Sequence, residues 1–258
     1  MVDLHTHILS GLDDGADSWD TALDMARMAA ASGTRVLAAT SHGNLPDWPR
    51  SQAGEYVKRY GRAFEHLQTL LREENIPLTL TTGMEIFLRE DHSVLELLKE
   101  GSLLPINGTR YLLVENSLDA PAYFIYRSLD KLLEQGYTPV LAHPERYVCV
   151  QNVPAHIFEW YQMGVLIQIN KGSVFGRFGR AAQDAADRIL RHRLAAIAAS
   201  DAHSSLYRTT SMSSFWDLLS SRYGSACPKL LLEENPGRIL KNQNVIWENP
   251  IPFYAGTS

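Results

Sequence analysis

Short apolar runs alternating with helical patterns constrain this chain more than any other feature of its sequence. The stretch SWDTALDMARMAAASG places Trp19, Leu23, Ala26 and Ala30 at helical spacing, with Asp17 or Ser18 as N-cap and Gly33 as C-cap. TRVLAATSH follows directly and reads as one buried strand ending near His42. The alternation then repeats. A helix over Gln52 to Glu74 leads to LTLTTGMEI, one around Val94 to Lys99 to RYLLVE, and one near Tyr123 to Glu134 to TPVLAH. Helices over Ala155 to Met163 and Ala181 to His192 lead to GVLIQIN and LAAIAASDAH. Strand, helix, strand at this rhythm predicts βαβ units and a parallel sheet.

Counting VDLHTH, about seven strands are visible, which suits a closed barrel better than an open doubly wound sheet. No G-x-G-x-x-G or P-loop stands at a strand-to-helix turn, so nucleotide-binding folds lose their main support. SSFWDLLSSRYG and PKLLLEENPGRIL read as helices covering the barrel, and PIPFYAGTS as a loosely held end. At 258 residues the chain has the length of a single α/β barrel domain spanning residues 1–258.

Function begins with the opening DLHTHILSGLDD. On a strand, residues two apart face one side, so His5 and His7 aim both imidazoles into one space; on a helix they would diverge. Other proposed strands end in the same chemistry: His42, Glu85, Glu115, His143, and Asp201 with His203. In a (β/α) barrel these C-terminal ends converge on the face where active sites are built. With Asp14 from the first loop they make nine oxygen and imidazole donors, using five of the nine histidines. Nine donors exceed the needs of one ion, so two or three metals with a bridging carboxylate are expected. Asp14 is preferred to Asp13, which suits a loop cap. His66, His92, His156 and His192 fall in helices or their flanks and read as surface residues.

The donor set lacks thiolate, which favours Mn²⁺, Fe, Zn²⁺ or Mg²⁺ and hydrolytic chemistry. Cys149 and Cys227 show neither C-x-x-C spacing nor a C-x₅-R loop, so a cysteinyl-phosphate route is absent and a reducing compartment fits. Arg146 in HPER and Arg208 after SDAH should stand over the same face, where guanidinium matches phosphate oxygens. A net charge of −5 offers no broad field for nucleic acid, and no apolar run reaches membrane-spanning length. Cytoplasmic residence without membrane insertion is therefore the expectation.

The motifs H-T-H, D-D-G, T-S-H, G-M-E-I, A-H-P-E-R, I-N-K-G-S-V-F-G-R-F-G and A-S-D-A-H, in this order, resemble one family. It is that of the bacterial PHP-class (polymerase and histidinol phosphatase) protein-tyrosine phosphatases, the CpsB/CapC family of capsule and exopolysaccharide loci. The resemblance runs from the first residue to about residue 242. It implies a distorted (β/α)7 barrel and a phosphatase holding three divalent ions, manganese foremost. The implied substrate is phosphotyrosine on the tail of a cognate bacterial tyrosine kinase that controls polysaccharide export. By the same resemblance one ion takes His5, His7, Glu85 and Asp201, and a second shares Glu85 with Glu115 and His143. The third takes Asp14, His42 and His203, while Arg146 and Arg208 contact phosphate. Apart from the resemblance, the expected mechanism leaves Asp201 or a metal-bound water as the candidate proton donor. Glu115 leans to the tyrosine-phosphatase branch, because PHP relatives such as histidinol phosphatases usually carry histidine there. A small-molecule phosphomonoesterase and an amidohydrolase-like metal hydrolase are the rival readings. Lys171 has no role at this stage.

Overall fold

The computed structural model describes residues 1–44, 48–89 and 93–253. Nine strands occur among them: β1 Val2–Thr6, β2 Val36–Ala39, β3 His42–Asn44, β4 Thr79–Thr82, β5 Glu85–Phe87, β6 Tyr111–Glu115, β7 Thr138–Leu141, β8 Leu166–Asn170 and β9 Ala195–Ala199. Every pairing is parallel, in a three-stranded sheet β1-β2-β4 and a six-stranded sheet β3-β5-β6-β7-β8-β9. Thr6 bridges Ala202, and the Asp201 and His7 amides donate to His5 O and Ala202 O at 2.9 and 2.8 Å. These bonds join β9 to β1 and close the barrel.

Nine strands occupy seven positions because two are broken. TRVLAATSH, expected as one strand ending at His42, divides into β2 and β3, so His42 starts the second piece. At the break Thr40 Oγ1 accepts from Thr6 N at 2.8 Å, a side chain replacing a ladder partner. LTLTTGMEI divides likewise into β4 and β5, where the Gly83 and Met84 amides turn to Tyr60 Oη and Leu104 O, each at 3.1 Å. The breaks lie side by side, since β2 pairs with β4 and β3 with β5. The barrel is thereby distorted at one wall, with donors His42 and Glu85 placed just beyond it.

The helices follow the sequence closely: Trp19–Ala31, Ala53–Glu73, Ser93–Lys99, Ala122–Glu134, Ala155–Gln162 and Arg180–Arg191. Ser18 supplies the first N-cap, accepting from the Thr21 amide. Its C-cap is Ser32 rather than Gly33, which takes the left-handed position just after. The strands' period of two sorts the core. Leu112 and Val114 join the main apolar cluster with helix residues such as Leu129 and Trp160, while Tyr111 and Leu113 share the opposite face with Glu115.

Helical turns from Ala226 to Leu240, including a π-helical segment Leu230–Glu234, pack on β9 and β1. Of the terminal stretch, residues 251 and 253 contact His192. Ile251 N donates to His192 O at 2.9 Å, His192 Nδ1 donates to Ile251 O at 2.6 Å, and Phe253 stacks on the His192 ring. The rest of that stretch, residues 254–258, lies outside the described residues. His66 is exposed and His156 half-buried, whereas His192 lies under the tail; His92 falls outside the described residues. Trp160 is fully buried, so Trp160→Ala should cost about 3–5 kcal/mol, read as a lowered midpoint in denaturant unfolding. A loss below about 1 kcal/mol would contradict this packing.

Candidate metal centre

All nine expected donors gather at one end of the barrel. His5, His7, Glu85, His143 and Asp201 are almost fully buried, and Glu115, His42 and Asp14 stand progressively nearer to solvent. Four groupings bring donor atoms within 4.8 Å of one another: His7, Asp14, His42 and His203; His5, His143 and Asp201; His5, His7 and Glu85; and His42, Glu85 and Glu115. Glu85 links the groupings, lying 3.2 Å from His5 Nε2 through one oxygen and 3.2 Å from His7 Nε2 through the other. The first of these oxygens lies 3.0 Å from His143 Nε2 and the second 3.3 Å from His42 Nδ1.

The donor chemistry suits cations. Gln168 Oε1 accepts from the His143 amide and from His5 Nδ1, at 3.3 and 3.0 Å, which leaves the His5 Nε2 lone pair facing inward. His7 Nδ1 donates to Asp13 Oδ2 at 2.8 Å, with the same result for its Nε2. The two Nε2 atoms lie 3.3 Å apart. His42 Nδ1 makes no hydrogen bond although Glu115 Oε1 lies only 2.9 Å away. Lone pairs and carboxylate oxygens converging out of water require positive charge between them, and divalent ions supply it.

Electrostatics say the same. Burial alone would neutralise His7, but Asp13 and Glu85 outweigh it and raise the imidazole to about 10. His42 rises to about 11 against burial, through Asp14 and Glu115. Surroundings that favour the protonated form of His7 and His42 favour a cation at the same place. Burial pushes Asp201 upward, yet His5 and Arg208 hold it well below the ordinary carboxylate range.

Local sequence explains the placement. Asp13 and Asp14 divide their roles at Gly15, where an added Cβ would lie 2.1 Å from His7 O. That close approach turns Asp13 onto His7 and onto the Gly15 and His42 amides, at 3.0 and 2.9 Å, and lets Asp14 reach His203 Nε2 at 3.3 Å. His143 and Asp201 both have positive φ, 36° and 49°, marking sharp exits from β7 and β9. Arg146 and Arg208 reach the rim, their guanidinium groups 3.6 and 2.5 Å from Asp201 Oδ2. Arg146 therefore meets Asp201 rather than its neighbour Glu145, which is buried and accepts from Asn170 N.

Three supporting residues escaped the sequence reading: Gln168, Asn170 and Asp13 as a histidine partner. Asn170 donates from its side-chain amide to Asp201 Oδ2. Gln168 and Asn170 are the polar, alternate residues of LIQIN, and that alternation was the available signal.

A buried set of imidazoles and carboxylates at the C-terminal mouth of a parallel barrel, rimmed by two arginines, defines a metal-dependent hydrolase type of site. The family model described as capsular polysaccharide synthesis, CpsB/CapC, matches residues 1–241, so the chain belongs to this family. Tyrosine-protein phosphatase YwqE of Bacillus subtilis (strain 168) is 32% identical over 98% of this chain and 96% of its own length. Tyrosine-protein phosphatase CpsB of Streptococcus pneumoniae is 29% identical over 94% of this chain and 99% of its own length. A solved structure from work on YwqE and CpsB, described as unique metal-dependent tyrosine phosphatases, superposes with a TM-score of 0.87 at 31% identity, covering 98% of this chain and 100% of the other.

Two outcomes follow. Because His7 and His42 must give up protons to a metal, affinity for Mn²⁺ should rise at least about tenfold per pH unit from pH 6 to 8. Metal titrations at pH 6, 7 and 8 read it directly, and a flat profile would refute it. Asp13→Asn, which removes the charge behind His7, should weaken metal binding about 10- to 100-fold with the fold retained, read by metal content after dialysis.

Proposed function

We propose that this chain is a metal-dependent tyrosine-protein phosphatase whose nine clustered donors hold three divalent ions, manganese foremost. The observation that carries this reading is the convergence of Arg146 and Arg208 on one carboxylate oxygen at the rim of the donor cluster. A tetrahedral dianion entering there meets two permanent cations and the cluster together. The names of the relatives, tyrosine-protein phosphatases, support the same chemistry.

His5, His7, Glu85 and Asp201 would hold one ion, Glu85, Glu115 and His143 a second, and Asp14, His42 and His203 a third. The first and third sets draw on the geometric groupings. For the second, His143 Nε2 lies 3.0 and 3.9 Å from Glu85 and Glu115, although Glu85 and Glu115 are grouped with His42. Bound there, such ions supply an activated water and neutralise charge on the phosphoryl oxygens. The chain's own residues do the rest. Arg146 and Arg208 bind and orient the phosphoryl group, each through paired N–H donors. Asp201 turns Oδ2 to both arginines and to Asn170, and Oδ1 to His5 and His203, at 3.4 and 3.6 Å. Held ionised by these neighbours, it anchors the arginines rather than donating a proton. A phenolate leaving group, with a pKa near 10, departs without a strong general acid.

The substrate proposed is a phosphotyrosine-bearing protein, the tail of a bacterial tyrosine kinase acting in the polysaccharide synthesis that the family description names. Among the described residues no helix is long and apolar enough to cross a membrane. A cytoplasmic place beside the kinase is part of the same proposal.

Chelated protein should be inactive, and added Mn²⁺ should restore phosphate release from phosphotyrosine peptide well above that from phosphoserine peptide or histidinol phosphate. Preference for histidinol phosphate would move the function to a small-molecule phosphatase. Arg208→Ala should raise KM for the peptide about tenfold or more and lower kcat, with bound metal unchanged. Metal loss in that variant would show that Arg208 supports the cluster instead.

A further inference from the structure

The run K-G-S-V-F-G-R-F-G follows β8 at the rim of the site, and the proposed chemistry gives it no role. It contributes Phe178, a half-buried ring beneath the arginine pair. The Arg146 guanidinium carbon lies 4.4 Å from the ring centroid and that of Arg208 5.7 Å away. The ring is itself held in place. At Gly172 an added Cβ would stand 2.6 Å from Phe178 Cε2, so the ring edge rests on glycine backbone that no larger residue would allow.

The arrangement answers a physical difficulty. Arg146 and Arg208 come from different connections, after β7 and after β9, and bring like charges onto one carboxylate oxygen. Asp201 attracts both but sets the plane only of Arg208, which meets it through Nε to the backbone oxygen at 3.1 Å and through a terminal nitrogen to Oδ2. Arg146 meets it through one nitrogen at 3.6 Å, which does not fix its plane. An aromatic face within cation–π range does both, because its negative quadrupole attracts each cation and its flat surface limits how each can lie. Lys171, in the same segment, secures the Arg208 loop from below. Its ammonium donates to Thr209 O and to Ser211 O, the latter at 2.9 Å, so the backbone just after Arg208 is tied to the end of β8.

We infer that Phe178 is a positioning residue that holds Arg146 and Arg208 as one pre-set pair for the phosphoryl group. The inference rests on the reading that these arginines take phosphate. Phe178 touches neither the donor cluster nor the reacting atoms in this account; it acts through the guanidinium groups.

The test uses the full chain loaded with Mn²⁺ and compares Phe178→Leu, which keeps apolar volume but removes the ring, with Phe178→Tyr, which keeps the ring. KM and kcat on phosphotyrosine peptide are measured with the inhibition constant for inorganic phosphate, the metal content and the melting temperature. Phe178→Leu should raise KM and the phosphate inhibition constant together, by about threefold to tenfold, with kcat changed less and metal content unchanged. Phe178→Tyr should return both to within about twofold of the parent. In an Arg146→Ala background the Phe178→Leu effect should shrink, because one of the two cations it acts on is gone. An undiminished effect in that background, failure of tyrosine to restore, or an unmoved phosphate constant would overturn the inference. Phosphate binding measured by calorimetry separates the two proposals. A parent chain that does not hydrolyse phosphotyrosine, but whose phosphate affinity still falls in Phe178→Leu, would overturn the substrate assignment and support the role of Phe178.

Discussion

Negative charge taken out of water must be met by positive charge, and the mouth of this barrel is built around that demand. Glu85 and Asp201 are almost fully buried, with Asp13 behind them and Glu115 and Asp14 towards solvent. Hydrogen bonds alone do not balance such a set. His7 and His42 answer it with raised basicity, and the proposed ions would take the same positions. Features elsewhere in the fold serve the same end. The paired strand breaks carry His42 and Glu85 inward, Gly15 presses Asp13 onto His7, and Gln168 turns His5.

The arginines extend this logic outward. They lie where the buried charge is nearly spent, sharing Asp201 Oδ2 with the Asn170 amide. On the proposed function, an incoming dianion would meet cations backed on one side by the Phe178 ring and held on the other by Asp201. Preorganisation of this kind means that little reorganisation remains when substrate arrives.

Much of this was legible in the sequence, and for a definite reason. Strand periodicity and strand-end position are simple geometric rules, so HTH, GME, LVE, LAH and SDAH announced where each donor would stand. The strand breaks were not legible. Small residues run without interruption through Ala39, Thr40 and Ser41, and only the exchange of bonds between Thr6 and Thr40 parts them. The choice between Asp13 and Asp14 depended on the space beside one carbonyl, which neighbouring letters do not encode. Phe178 was hidden within a glycine-rich run because its partners, Arg146 and Arg208, lie about thirty residues away on either side. The contacts of Ile251 were not legible either, because His192, which offers it both a backbone oxygen and a ring nitrogen, lies far away in sequence.

The left-handed backbone at His143 and Asp201 restricts the alphabet from which these two donors can be drawn. Aspartate, asparagine and histidine tolerate that conformation far better than glutamate or branched residues. On the proposed function two filters would act at once at each position, one imposed by the cation and one by the peptide unit. Attempts to retune the metal by lengthening Asp201 to glutamate would meet a conformational cost unrelated to coordination. The freer positions for changing metal preference are therefore Glu115, at the end of an ordinary strand, and Asp14, in the half-open first loop.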